Sequence, residues 1–164
     1  MLLEVKRKLH KPQFLIDNTN VPFVIRTDTG QFLRVKDIRG GASEEFTVFD
    51  TATGALRPLG AAPHALSGKA RVTLSDGKEV EVCTAWDRIN EYIAQWTPEK
   101  ASEVCEVPAD VITKLAVEYA TTEPAAIRVS QGINRYWQGH QGVRAALLLG
   151  ALCGNHGKKG AGVS

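Results

Sequence analysis

The stretch AAIRVSQGINRYWQGHQGVRAALLLGALCGNHGKKGAG, residues 125–162, decides the fold. AAIRVS is short and rich in apolar residues, and reads as a buried strand. AALLLGAL, residues 145–152, is the aliphatic centre of a helix. Two glycine-rich stretches bracket that helix, and they also carry Gln, Asn, Arg and His. Helix, strand, glycine loop, helix is half of an open α/β unit. In such sheets ligands bind beyond the carboxyl ends of the strands, where loops lead into helix N-termini that favour anions. Residues 130–141 occupy that place. Gly132 permits close backbone approach or a positive φ, and Gln131, Asn134, Arg135 and Gln138 supply hydrogen-bond donors for a polar ligand. Arg135 has the fork that grips phosphate through two bonds. Of Tyr136 and Trp137, spacing of this kind makes one a core anchor more often than a stacking platform. A glycine after a strand is also simply how turns are made, so the loop reads both as a binding loop and as a turn.

The second bracket, residues 153–162, is read in the same two ways. Gly154 suits the position after a helix end, and the Gly/Lys-rich tail has no GxxxxGK[ST] phosphate-loop spacing. Gly150, inside the helix, costs about 1 kcal/mol against Ala, which implies another backbone packed closely against an internal helix. His140 and His156 have no partner spacing and read as polar loop residues.

Upstream, the period of the sequence changes near residue 84. Before it, PFVIR/QFLRV, EFTVFD/ALRPL and KARVTL/EVEV are three strand pairs around the turns TDTG, TATG and SDGK. In the last pair Ala70, Val72 and Leu74 alternate with Arg71 and Thr73, and Val80 and Val82 with Glu79 and Glu81, giving one apolar and one wet face. After residue 84 the spacing is helical. Trp86, Ile89, Ile93 and Trp96 form one stripe. Thr97-Pro98-Glu99 starts a second helix with a cap, a first-turn proline and an acid suited to the dipole. Pro108 opens a third helix, whose broad apolar face is Val111, Ile112, Leu115, Ala116 and Tyr119, and which stops at Thr121-Thr122-Glu123-Pro124. The expected fold class is therefore α/β: a Rossmann-like open-sheet fragment. A β-hairpin-rich lobe at 1–83 precedes a helical and βα part at 84–164, which ends in the buried strand and the final aliphatic helix.

Composition limits the partners. The 164 residues are 43% hydrophobic, enough to bury a core, and 20 basic against 18 acidic side chains leave a net charge of only +2. Apart from Lys6, Arg7, Lys8 and Lys11 the basic residues are scattered, which argues against nucleic acid. No apolar run reaches the ~18–20 residues of a membrane span, and the first residues lack the apolar run of a signal peptide. The compartment stays open. Cys83, Cys105 and Cys153 have no CxxC spacing, so no zinc or iron–sulfur site is read, and they are expected as buried or half-buried thiols.

Residues 125–164 resemble the end of the dinucleotide-like domain in molybdopterin oxidoreductases of the dimethyl sulfoxide reductase family, with the pattern QG.NR...G...RA...L..L.GN.GKPGAGV. FLIDNTNVPFVIRTDTGQFLRV, FTVFDTATGAL and WTPEKASEVCEVPADVITKLAVEYA resemble further segments of the same family, so nearly the whole chain is covered. Lys159 departs from a common proline, and Glu106 from the glycine of a GVP tripeptide. The resemblance implies a piece of a larger oxidoreductase that holds molybdenum or tungsten between two molybdopterin guanine dinucleotides. The metal ligand and any iron–sulfur cluster are then expected outside this chain, with no catalytic or metal residue within it. By position it implies cofactor contacts at Gln131, Gly132, Asn134 and Arg135, with Gly154, Asn155 and Gly157 shaping a neighbouring turn. It also implies a sheet that begins before Met1 and a chain that continues past Ser164. The partner is then the remainder of the parent enzyme, and the bare edge of the AAIRVS strand offers a route to a homodimer. Two other readings stay open: a standalone nucleotide- or phosphate-binding module, and a structural or interaction domain.

Overall fold

A computed structural model describes residues 8–60 and 63–164; Lys6 and Arg7 of the basic cluster lie outside these. The chain divides into two compact units, one formed by Leu15–Tyr92 and the other by the described residues up to Phe14 together with Ile93–Ser164.

The first unit contains two of the three expected strand pairs, EFTVFD/ALRPL and KARVTL/EVEV, while PFVIR/QFLRV forms no second strand. Strand β1 (Val24–Arg26) is followed by the TDTG turn, across which Arg26 N–H donates to Gln31 O at 2.9 Å and Leu33 N–H to Val24 O at 2.8 Å. The returning segment pairs only as an isolated bridge, Ile25 with Phe32, and then winds into α2 (Val35–Arg39), the helix after α1 (Pro12–Asn18). Strands β2 (Thr47–Phe49) and β3 (Leu56–Pro58) pair antiparallel, with Val48 opposite Arg57. Strands β4 (Lys69–Thr73) and β5 (Glu79–Thr84) also pair antiparallel, and β1 joins the far side of β5 to give the order β1-β5-β4. Val72 faces Val80 and Ala70 faces Val82, the apolar face expected from the alternation. Val24, Leu33, Phe49, Leu74, Val80 and Val82 form a buried cluster there. Gly68 is needed at its edge, because a Cβ would stand 2.6 Å from the Phe49 ring. The Asp87 carboxylate accepts from Ser67 Oγ at 2.6 Å, Gly68 N at 2.8 Å and Thr84 Oγ1 at 2.9 Å, fixing the start of α3 (Ala85–Ile93). The expected stripe ends at Ile93. Trp96 lies beyond the helix and is 39% exposed.

In the second unit, α4 (Pro98–Cys105) starts as the sequence reading has it, with the Thr97 hydroxyl accepting from Lys100 N at 3.2 Å. Helix α5 (Ala109–Thr121) follows Pro108. Strand β6 (Ala126–Ile127), the helical turn α6 (Gln131–Asn134) and α7 (Gly139–Leu152) then lead to β7 (Gly162–Val163), which pairs parallel with β6. This is a small β-α-β unit with a two-stranded parallel sheet; the wider Rossmann-like sheet does not appear among the described residues.

Three expectations need correction here. AAIRVS is not a buried strand: only Ala126 and Ile127 take strand geometry, and Ala126, Arg128 and Ser130 are exposed. One neighbouring strand covers one edge, while a buried parallel strand needs cover on both faces. The apolar face of α5 is only half covered, with Val111 at 46% and Leu115 at 64% exposure beside half-buried Ile112, Ala116 and Tyr119. Helix α7 is not internal, since Leu147 is 42% exposed; a two-stranded sheet is too narrow to hide it. Cys105 is exposed, although Cys83 and Cys153 are buried, and burial raises the Cys83 thiol above its ordinary pKa. Among the described residues no helix is long and apolar enough to cross a membrane.

Candidate functional site

The chain leaves the carboxyl end of β6 through 128–130 and enters α6, where an open loop was expected. Arg135 N–H donates to Gly132 O at 3.2 Å, Tyr136 N–H to Ile133 O at 3.4 Å, and Gly139 N–H to Tyr136 O at 3.0 Å, so the glycine stretch is wound rather than extended. Gly139 makes the winding possible. A Cβ there would lie 1.7 Å from the Ile133 carbonyl oxygen, and one on Gly142 would lie 2.7 Å from Ile133 Cδ1. Glycines at the start of α7 therefore let α6 sit directly against it.

Gly132 behaves differently. Its φ is not positive, and a Cβ on it would meet nothing within 4 Å. Its own chain has no need of a glycine there. Around it Gln131, Asn134 and Arg135 are exposed, and their side chains make no hydrogen bond or ion pair to the described residues. Tyr136 and Trp137 are 77% and 91% exposed, so neither is the core anchor that spacing suggested. Two amides and a guanidinium thus stand free beside an unobstructed glycine, at the carboxyl end of a parallel strand. That donor set suits a ligand with phosphate or amide-like acceptors.

Gly154, Asn155 and Gly157 are elsewhere. Helix α7 has 14 residues, about 21 Å at ~1.5 Å per residue, and they lie past its far end, on the side where the chain enters β7. No single phosphate or ring reaches both groups. Gly154 has φ +64 and caps α7: its N–H donates to Ala151 O at 3.0 Å, and Asn155 N–H to Gly150 O at 2.8 Å. This is the double bond pattern of a Schellman cap, and it bears out the helix-end reading of Gly154. Gly157, at φ +75, turns the chain back. Asn155 is 1% exposed, and neither its side-chain oxygen nor its nitrogen has a hydrogen-bond partner, a costly arrangement for a buried amide. Lys11 and Phe14 lie over this end, beside Gly154. Lys11 N–H donates to Leu152 O at 2.8 Å, and Glu123 bridges Lys11 Nζ at 2.8 Å and Lys158 Nζ at 3.3 Å. Both ammonium groups hold the Glu123 carboxyl below its usual pKa, Lys11 most.

His156 is no simple loop residue. Its Nε2 lies 2.8 Å from Leu147 O, and since a carbonyl only accepts, Nε2 carries the proton. The ring fits because position 150 is glycine: a Cβ there would stand 2.9 Å from His156 Nε2 and 3.1 Å from Val163 Cγ2. The close neighbours of Gly150 are side chains, not the backbone that was expected. His140 is exposed in the first turn of α7. What the sequence reading missed was the role of Gly139 and Gly142; their spacing at the helix start was the available signal.

The fold and site define a mixed α/β segment with a donor-bearing turn beyond a parallel strand. No protein-family model matches the chain. It is 32% identical to the perchlorate reductase subunit alpha of Dechloromonas aromatica (strain RCB) over 98% of the chain and 21% of that protein. It is also 32% identical to the chlorate reductase subunit alpha of Ideonella dechloratans, over 93% of the chain and 18% of that protein. With dimethyl sulfoxide reductase DmsA of Escherichia coli (strain K12) it shares 45% identity over 39% of the chain and 8% of that protein. The chain belongs to the dimethyl sulfoxide reductase family of molybdopterin oxidoreductases. It spans about a fifth of the length of the two alpha subunits it matches almost throughout.

Proposed function

We propose that this chain is one part of the catalytic subunit of a molybdopterin guanine dinucleotide-dependent oxidoreductase, and that the turn at 131–135 forms part of the wall against the cofactor. When bound, the cofactor supplies two-electron redox chemistry at molybdenum or tungsten. The residues here bind and orient it: Gln131 and Asn134 through their amides, Arg135 through its guanidinium, and Gly132 by leaving room for contact with the backbone. The observation that carries the reading is the open space at Gly132 beside three donors that have no partner among the described residues. Asn155, Gly154 and Gly157 take a supporting role, forming the return turn into β7. No catalytic or metal-ligating residue is assigned in this chain. The metal ligand and any iron–sulfur cluster belong to other parts of the subunit, and the chain alone is inactive.

The test is the change of Gln131, Asn134 and Arg135 to Ala within the full catalytic subunit, with molybdenum and pterin content measured per folded protein. The expected result is a loss of roughly 10-fold or more, as three charge-assisted or amide hydrogen bonds would give. Unchanged cofactor content would reject the wall. The same exposed donors also favour a second reading, a nucleotide- or phosphate-binding module active alone; saturable binding of GDP by the isolated chain would support it. The outer edge of β6 is proposed as the place where the parent sheet continues. In the isolated chain it is open to a second copy, which a concentration-dependent mass in solution would reveal.

A further inference from the structure

The Leu15–Tyr92 unit has its own cavity of about 270 Å³, lined by residues of α2, β2, β3 and β4. Ile38, Leu56 and Val72 pack against the buried core cluster yet remain partly exposed, and they line the cavity together with Val35 and Pro58. Its polar side chains differ in their freedom. The Thr47 hydroxyl, buried, donates to Leu33 O at 3.0 Å. The Arg57 guanidinium donates to Asp50 Oδ2 at 3.1 Å, Pro58 O at 3.2 Å and Pro63 O at 2.8 Å, so its charge and its donors are occupied. Arg39 also lines the cavity, is exposed, and makes no hydrogen bond or ion pair to the described residues.

We infer that this cavity, with its apolar lining and the free Arg39 guanidinium beside it, is a binding site for a small carboxylate with an aliphatic tail. The tail replaces water over Ile38, Leu56 and Val72, and the carboxylate takes two donors from Arg39. A pocket with mostly apolar walls and one placed charge is the usual form of a small-molecule site. Its volume falls just below the ~300–1,000 Å³ of such sites, which excludes a dinucleotide and separates it from the turn at 131–135. A cation is disfavoured by Arg39, and an uncharged tail leaves the guanidinium unused.

The test follows the methyl NMR signals of the whole chain during titration with 4-methylpentanoate, using 4-methylpentan-1-ol as the uncharged control. Saturable shifts are expected at Val35, Ile38, Leu56 and Val72, with the acid binding more tightly than the alcohol. Arg39→Gln, an exposed substitution that spares the core, is expected to weaken the acid roughly 10-fold, the worth of a charge-assisted hydrogen bond, and to leave the alcohol unchanged. Equal binding of acid and alcohol, no effect of Arg39→Gln, or no methyl shift up to about 20 mM acid, far weaker than a specific site requires, would each overturn the inference.

Discussion

The two units handle apolar residues in opposite ways. Between Leu15 and Tyr92, Val24, Leu33 and Val48 are fully buried and Phe49 is 1% exposed. In the other unit Val104 is 68%, Leu115 64% and Trp137 91% exposed. The difference follows from strand direction. An antiparallel hairpin completes its ladder with the next few residues, so β2/β3 and β4/β5 close a core from local sequence. A parallel strand must find its neighbours through long crossovers, and β6 finds only β7. The amphipathic helices of that unit then remain half covered.

The contrast can be broken most sharply at the two ends of the burial scale. Phe49→Ala should destabilise the chain by about 3–5 kcal/mol, while Leu115→Ala should stay within ~0.5 kcal/mol; urea unfolding read by tryptophan fluorescence compares them. A large loss from Leu115→Ala would show that α5 has a buried partner after all. Glycines come next. Gly68→Ala drives a methyl into the Phe49 ring and Gly139→Ala into the Ile133 carbonyl, each expected to cost about 1–3 kcal/mol as overpacking. Gly132→Ala, with open space around it, should leave thermal stability unchanged or slightly higher. Thr97→Ala removes the cap of α4 and should lower stability by about 1 kcal/mol, visible as faster amide exchange at Lys100. The smallest effect is electrostatic. The Glu123 pKa is lowered by Lys11 and Lys158, so its stabilising contribution is complete above the ordinary value of 4.5 and is lost as pH falls through the lowered one. Asp50, lowered chiefly by the backbone N–H groups of Thr53 and Ala52, acts in the same direction in the other unit. Both carboxylates lie near solvent. Acid titration of Glu123→Gln should flatten the first of these slopes, and added salt should weaken the Glu123 contribution more than that of Asp50, whose main partners are not ions.

Much of the fold was legible where the signal is local. The alternation in β4 and β5, the Thr97-Pro98 start and the glycine after α7 each depend on residues a few positions apart, and all stand as read. The candidate site was legible only in part. Gln131, Asn134 and Arg135 are exposed and make no hydrogen bond or ion pair to the described residues, whereas Gly154, Asn155 and Gly157, read as shaping a neighbouring turn, lie past a helix of about 21 Å.

What the sequence determined by itself is therefore the two later hairpins, the long helices with their starts and the family resemblance, because propensity, periodicity and capping act over one or two turns. Which glycines make room for their own chain and which leave room for something else was decided only by tertiary structure. Residue type is identical at positions 132, 139 and 150, and only the neighbours brought in from other parts of the chain tell them apart: the Ile133 carbonyl at 139, His156 and Val163 at 150, and nothing within 4 Å at 132.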